Sequence, residues 1–164
     1  MKIAVVDDSK FTRMVIKQIL NDLSNMEFCW EAENGKVALE KNTRDPVDLI
    51  ISDLEMPVLD GLQLLKTVIG GEAKTKCLLI SAFHKSNQPK IIDALKAGAI
   101  GFIEKNSLGK GFDINSLKKE INKYINFLTQ DNILKKEIRS ISLEDNLNKP
   151  VIKSHGSTDA IGFA

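Results

Sequence analysis

Cysteine, aromatic residues, proline and long apolar runs are all scarce in this 164-residue sequence, and each scarcity removes a class of protein. Cys29 and Cys77 are the only cysteines, and neither has a CxxC or Cys/His partner at zinc spacing. They read as buried thiols in strands rather than as a disulfide or a metal site. No charge of one sign dominates either: 23 Lys and Arg stand against 22 Asp and Glu, a formal net charge of +1. No global field therefore draws the chain to nucleic acid or inserts it into a membrane. The opening apolar run, Ile3 to Val6, meets Asp7 and Asp8 at once. That is far too short for a signal peptide or a membrane span, so the expected location is cytoplasmic. No GxGxxG or P-loop follows a strand, which argues against a Rossmann or flavin module.

What is present is an alternation of two periods. Short β-branched runs at Ile3–Val6, Phe28–Ala32, Val47–Ile51, Cys77–Ile80 and Ile100–Ile103 read as strands. Between them lie helical stretches. Phe11, Val15, Ile19 and Leu23 share one face behind Asp8 or Ser9 as N-cap, and Gly35–Asn42, Leu62–Ile69 and Ile91–Ala97 are shorter helices. A fifth helix carries Leu117, Ile121, Tyr124, Ile125 and Leu128 on its apolar face. Repeated β-α units predict an α/β fold, a five-stranded parallel sheet covered on both sides as a three-layer sandwich. In such open sheets ligands bind beyond the carboxyl ends of the strands.

The chemistry falls at those ends. Strand one runs into Asp7-Asp8 and strand three into Ser52-Asp53, so three carboxylates converge if the two strands are neighbours. Like charges repel, and an all-oxygen set with vacant positions suits Mg²⁺, which also binds phosphate. A carboxylate beside a cation can attack phosphorus, and Asp53 is the nucleophile this order selects. It opens the loop Asp53-Leu54-Glu55-Met56-Pro57-Val58-Leu59-Asp60-Gly61, where Pro57 and Gly61 set turns. Ser81 after strand four offers a hydroxyl for phosphoryl oxygens. Lys105 after strand five offers an ammonium.

With these residues in this order, residues 1–128 resemble the response-regulator receiver domain of two-component systems. The resemblance implies flavodoxin-like strand order 2-1-3-4-5, the order known from chemotaxis receivers. It implies phosphorelay function, with a histidine kinase as phosphodonor and an output protein or covalently following effector domain as partner. In its terms Asp7 and Asp8 are the acidic pair and Asp53 the phosphoacceptor. The backbone carbonyl of Glu55 is the further Mg²⁺ ligand, Ser81 and Phe102 are switch residues, and Lys105 is the conserved-type lysine. Val6 to Arg13 and Asp53 to Gly61 are closest to chemotaxis regulators, in particular the receiver half of the chemotaxis protein-glutamate methylesterase. The chain departs from the family where Lys105 precedes Asn106 instead of proline. A cis bond there would cost about 2.5–4 kcal/mol.

Other readings stand beside this one. Asp8 and Ser9 could be no more than helix caps, Asp60-Gly61 no more than a turn, and Phe102 a static core aromatic. A haloacid-dehalogenase-type phosphatase also uses aspartate and Mg²⁺, yet its DxD is absent because Asp7 and Asp8 are adjacent. The remaining alternatives are a degenerate receiver that serves only as an interaction surface, and the regulatory fragment of a chemotaxis methylesterase. The chain is expected to be no enzyme beyond self-phosphorylation and autodephosphorylation, with no methylesterase catalytic domain. Beyond the receiver, Ile133, Leu134, Ile138 and Ile141 mark a helical extension or linker at 129–141 whose stripe is shifted from the core face. Residues 142–164, rich in Asn, Ser, Lys and Gly, read as a flexible tail or the start of a truncated following domain. His84 carries little information, and His155, Ser157 and Asp159 read as an accidental cluster.

Overall fold

The computed structural model describes residues 1–71, 74–82, 85–105 and 113–147, with side chains in the last helix described to Asp131 and at Ile133 and Leu134. Asn106, His84 and residues 148–164, with His155, Ser157 and Asp159, lie outside the described residues. Five strands, β1 (Lys2–Val6), β2 (Glu27–Ala32), β3 (Leu49–Asp53), β4 (Lys76–Ser81) and β5 (Gly101–Glu104), alternate with five helices. These are α1 (Lys10–Asn21), α2 (Gly35–Arg44), α3 (Gly61–Ile69), α4 (Gln88–Lys96) and α5 (Ile114–Leu147). All strand pairs are parallel, in the order β2-β1-β3-β4-β5. This is the flavodoxin-like order expected from the sequence.

Parallel strands buried on both faces carry near-continuous apolar runs, and β1, β3 and β4 do so at 3–6, 49–51 and 77–80. Ala4, Val6, Ile50 and Leu79 pack with Ala38 of α2, Leu64 and Leu65 of α3 and Ile91 and Ala94 of α4. The alternate residues Ile3, Val5, Leu49, Ile51, Leu78 and Ile80 are equally buried. Because side chains alternate across a strand, these point to the opposite layer, which α1 and the first turns of α5 supply. Tyr124 of α5 lies so close to Gly101 of β5 that a Cβ there would collide with the ring, and Lys118 of α5 bridges to Asp22 at the end of α1, 2.8 Å.

Several expectations shift. Val47 is buried but precedes β3: its N–H donates to Asn42 Oδ1 and its carbonyl accepts from the Thr75 hydroxyl, so side chains rather than a neighbouring strand satisfy it. The buried face of α1 is Thr12, Val15, Ile16, Ile19 and Leu20, leaving Phe11 exposed. The helical period was right and Val15 and Ile19 are on the buried face as expected, but the stripe is centred about 50° further round, toward Ile16 and Leu20, at about 100° per residue. Cys77 is buried, and burial pushes its thiol up to about 12. Cys29 is only half-buried, because β2 is an edge strand. The helix α5 runs without interruption through Gln130-Asp131-Asn132 and past Ser142 to Leu147. Leu143, Glu144 and Leu147 favour helix there. Among the described residues no helix is long and apolar enough to cross a membrane.

Contacts group residues 1–126 as one compact unit, and the other begins at Phe127. In this second unit Leu128 is buried while Phe127, Ile133 and Leu134 are exposed.

The loop from β3 to α3 is the most constrained segment of the first unit. Gly61 N–H donates to the Leu54 carbonyl, Gly35 N–H to the Leu59 carbonyl, and Leu59 N–H to the Pro57 carbonyl at 2.9 Å. The last bond closes a three-residue turn centred on Val58, whose φ is 72°. A β-branched residue is strained there by about 1–2 kcal/mol. Asp60 caps α3 through Gln63 N–H in a complete capping box. A side chain at Gly61 would strike the Asp53 carbonyl oxygen and approach Leu54 Cα at 2.9 Å. Val58→Asn is expected to stabilise the protein by about 1 kcal/mol, since asparagine tolerates left-handed backbone, and Gly61→Ala to destabilise it by about 2 kcal/mol or more. Urea midpoints at unchanged slope check both.

Candidate functional site

Sheet order decides what meets at the carboxyl edge. With β1 beside β3, Val6 aligns with Ser52, so Asp7 follows one strand where Asp53 ends the next. With β4 on the other side, Asp53 aligns with Ile80 and Ser81 lies one residue further. Ser81 in turn aligns with Glu104 of β5, and Lys105 N–H donates to the Ser81 carbonyl at 2.8 Å. The sequence-derived residues Asp7, Asp8, Asp53, Ser81 and Lys105 thus converge on one edge from four strands.

Carboxylate oxygens of Asp7, Asp8 and Asp53 lie within 4.8 Å of one another. Asp7 and Asp53 are buried and Asp8 is exposed. Lys105 Nζ bridges the buried two, 2.7 Å to Asp7 Oδ2 and 2.8 Å to Asp53 Oδ2. Asp7 Oδ1 accepts from Ser9 N–H at 2.9 Å, and Asp53 Oδ1 accepts from Glu55 N–H at 3.4 Å. Ser9 also caps α1, its hydroxyl oxygen accepting from Thr12 N–H at 3.3 Å, so Asp8 is not the cap and its carboxylate is left for other work.

The electrostatics follow from burial. Burial raises the Asp7 carboxyl above the usual aspartate range; hydrogen bonding and charge from Lys105 pull it back, while Asp53 pushes it up further. For Lys105 burial works downward, but the charge of Asp53 and the hydrogen bonds to Asp53 and Asp7 outweigh it and hold the ammonium above its ordinary value. Three carboxylates against one ammonium leave two negative charges uncompensated among these four side chains. That is the charge of one divalent cation, and oxygen-only donors fit a hard one. Glu55 stands beside the cluster directly after β3, with its side chain exposed. Phe102 is half-buried on β5 against the core of the α2–α4 layer.

Two contacts were invisible in the sequence. Arg13, in the second turn of α1, donates from Nη1 to the Asp7 carbonyl at 2.7 Å and reaches the Asp8 carbonyl at 3.5 Å. Its Nε pairs with Glu31 of β2 at 3.2 Å. The only available signal was a basic residue one turn beyond the N-cap of α1, which is too common to single out. Asn87, at the start of α4, is buried, and among the described residues its Nδ2 has no hydrogen-bond partner. Its backbone is helical there rather than extended, so it makes no cap bond.

The fold and this edge define a phosphoacceptor-type α/β domain, and the comparisons agree. Residues 3–122 match the response regulator receiver domain, and the chain belongs to that family. It is a receiver of two-component phosphorelays, similar to chemotaxis receivers. It is 32% identical over 156 residues to a protein-glutamate methylesterase/protein-glutamine glutaminase 1 of Syntrophomonas wolfei, covering 95% of this chain and 42% of that one. It is 38% identical over 125 residues to the chemotaxis protein CheY of Bacillus subtilis, covering 76% of this chain and 98% of that one. The response regulator domain of Thermotoga maritima CheB superposes with a TM-score of 0.68 at 32% identity, covering 77% of this chain and 93% of that one. The chain therefore spans less than half the length of the methylesterase it matches.

Removing Lys105 leaves two buried carboxylates facing each other unpaired, which costs about 3 kcal/mol at neutral pH. Lys105→Met is expected to lose that much in urea unfolding of the metal-free protein. Adding Asp7→Asn should recover more than half of it, and a double-mutant cycle reads the coupling.

Proposed function

We propose that Asp53 accepts a phosphoryl group from a histidine kinase in the presence of Mg²⁺, and that the modification alters a partner-binding face. The observation that carries this reading is the cluster of three carboxylates with two charges left uncompensated around a bridging lysine. Asp7, Asp8, Asp53 and the backbone carbonyl of Glu55 are the residues that would hold the ion. When bound, it offsets negative charge on the incoming phosphoryl group and on its leaving atom.

An Asp53 carboxylate oxygen forms the new bond to phosphorus as the bond to the kinase's phosphohistidine nitrogen breaks and that nitrogen regains the pair. Lys105, held protonated by its two carboxylate partners, exchanges one of them for a phosphoryl oxygen. The Ser81 hydroxyl, one residue beyond the Asp53 row, donates to another. Each exchange draws the ends of β4 and β5 toward Asp53, and Phe102 on β5 repacks with them, so the surface of α4, β5 and α5 changes. Alignment with the methylesterase over nearly the whole chain favours a second element, that the output is a protein-glutamate methylesterase activity controlled by this domain. Cytoplasmic action beside such partners belongs to the same reading.

Incubation with acetyl phosphate and Mg²⁺ is expected to add one phosphoryl mass. Asp53→Asn should abolish the addition, as should chelation. Modification that persists in Asp53→Asn removes Asp53 from the role, and modification unaffected by chelator removes the ion. A receiver that serves only as an interaction surface would take no phosphoryl group under any of these conditions.

A further inference from the structure

We propose that Arg13 is a positioning residue that presets the Asp7-Asp8 turn for a divalent cation, an inference that rests on the function proposed above. Asp8 is the one exposed member of the cluster, and among the described residues nothing hydrogen-bonds its carboxylate. No side-chain partner positions it, so the backbone, which fixes the direction of the Asp8 Cα–Cβ bond, decides which rotamers can reach the other two carboxylates. Three contacts hold this backbone. Asp7 N–H donates to the Ala32 carbonyl at 3.1 Å, Ser9 N–H donates to Asp7 Oδ1, and the Arg13 guanidinium binds the Asp7 carbonyl and approaches that of Asp8.

The first contact belongs to the sheet and the second to the cap of α1. Among the described residues Arg13 alone addresses the carbonyls of both peptides that flank Asp8. Its own position is not left to rotamer choice. The side chain is 12% exposed and its Nε is fastened to Glu31, so the fork arrives from β2's side already oriented. Mg²⁺ accepts little deviation from octahedral geometry, and groups that orient the liganding residues typically contribute 10–100-fold in metal affinity.

Charge and positioning predict opposite signs. A cation lodged behind the turn repels Mg²⁺, so on Coulomb grounds alone its removal would tighten metal binding. A purely structural tie between α1 and β2 predicts lower stability with metal affinity unchanged. Positioning predicts weaker binding.

The experiment is Mg²⁺ titration by calorimetry at fixed ionic strength on the full chain, comparing wild type, Arg13→Met and Arg13→Lys, with urea unfolding of each metal-free protein. Arg13→Met is expected to raise the Mg²⁺ Kd by about 10–100-fold. Arg13→Lys, which keeps the charge but offers no fork, should raise it by about threefold to tenfold. At saturating Mg²⁺ the rate of modification by acetyl phosphate should return to that of wild type in both. Binding as tight as wild type or tighter in either folded variant overturns the proposal, and if Arg13→Met does not fold, Arg13→Lys decides it. Absence of Mg²⁺ binding by the wild type itself would overturn the function on which the inference stands, whereas wild-type binding with unaltered variants overturns only the role of Arg13.

Discussion

Carboxylates that repel one another are held together at the carboxyl edge of this sheet, and much of the local structure answers that repulsion. Asp7 and Asp53 are buried, where a charge is costly, and Lys105 joins them with two bonds under 3 Å. One ammonium cannot balance three acids. An ordinary packed core would not tolerate that imbalance, and it matches the charge of one dication.

Holding the acids in place costs backbone freedom and local strain. Val58 adopts a left-handed conformation that valine disfavours, and Gly61 is packed so tightly against Asp53 that no side chain fits. The turn after β1 is fastened by the sheet, the α1 cap and Arg13. These constraints lie on loops, yet each is anchored to a strand end or a helix start. The turns after β1 and β3 are therefore tied at several points to the sheet and the helices they join.

Away from the edge the chain changes character. Helix α5 presents Leu117, Ile121 and Ile125 as core, and within the same helix Phe127, Ile133 and Leu134 are exposed. Of the apolar stripe noted in the sequence beyond Leu128, Ile133 and Leu134 are exposed rather than core.

Composition and spacing alone determined the β-α alternation and the placing of Asp7, Asp8, Asp53, Ser81 and Lys105 at strand ends, because period and turn chemistry are local properties. The neighbour relation of β1 and β3 came from family resemblance rather than from periodicity, since no local pattern encodes which strands pair. Only the tertiary structure decided which face of α1 is buried, that Ser9 rather than Asp8 caps it, and that Lys105 bridges Asp7 and Asp53. The same is true of Arg13 and Glu31, which meet behind the acidic turn although one lies on α1 and the other on β2. A side chain's partner across the fold depends on where other segments come to rest, and that is set by packing the whole sheet rather than by any stretch of neighbouring residues.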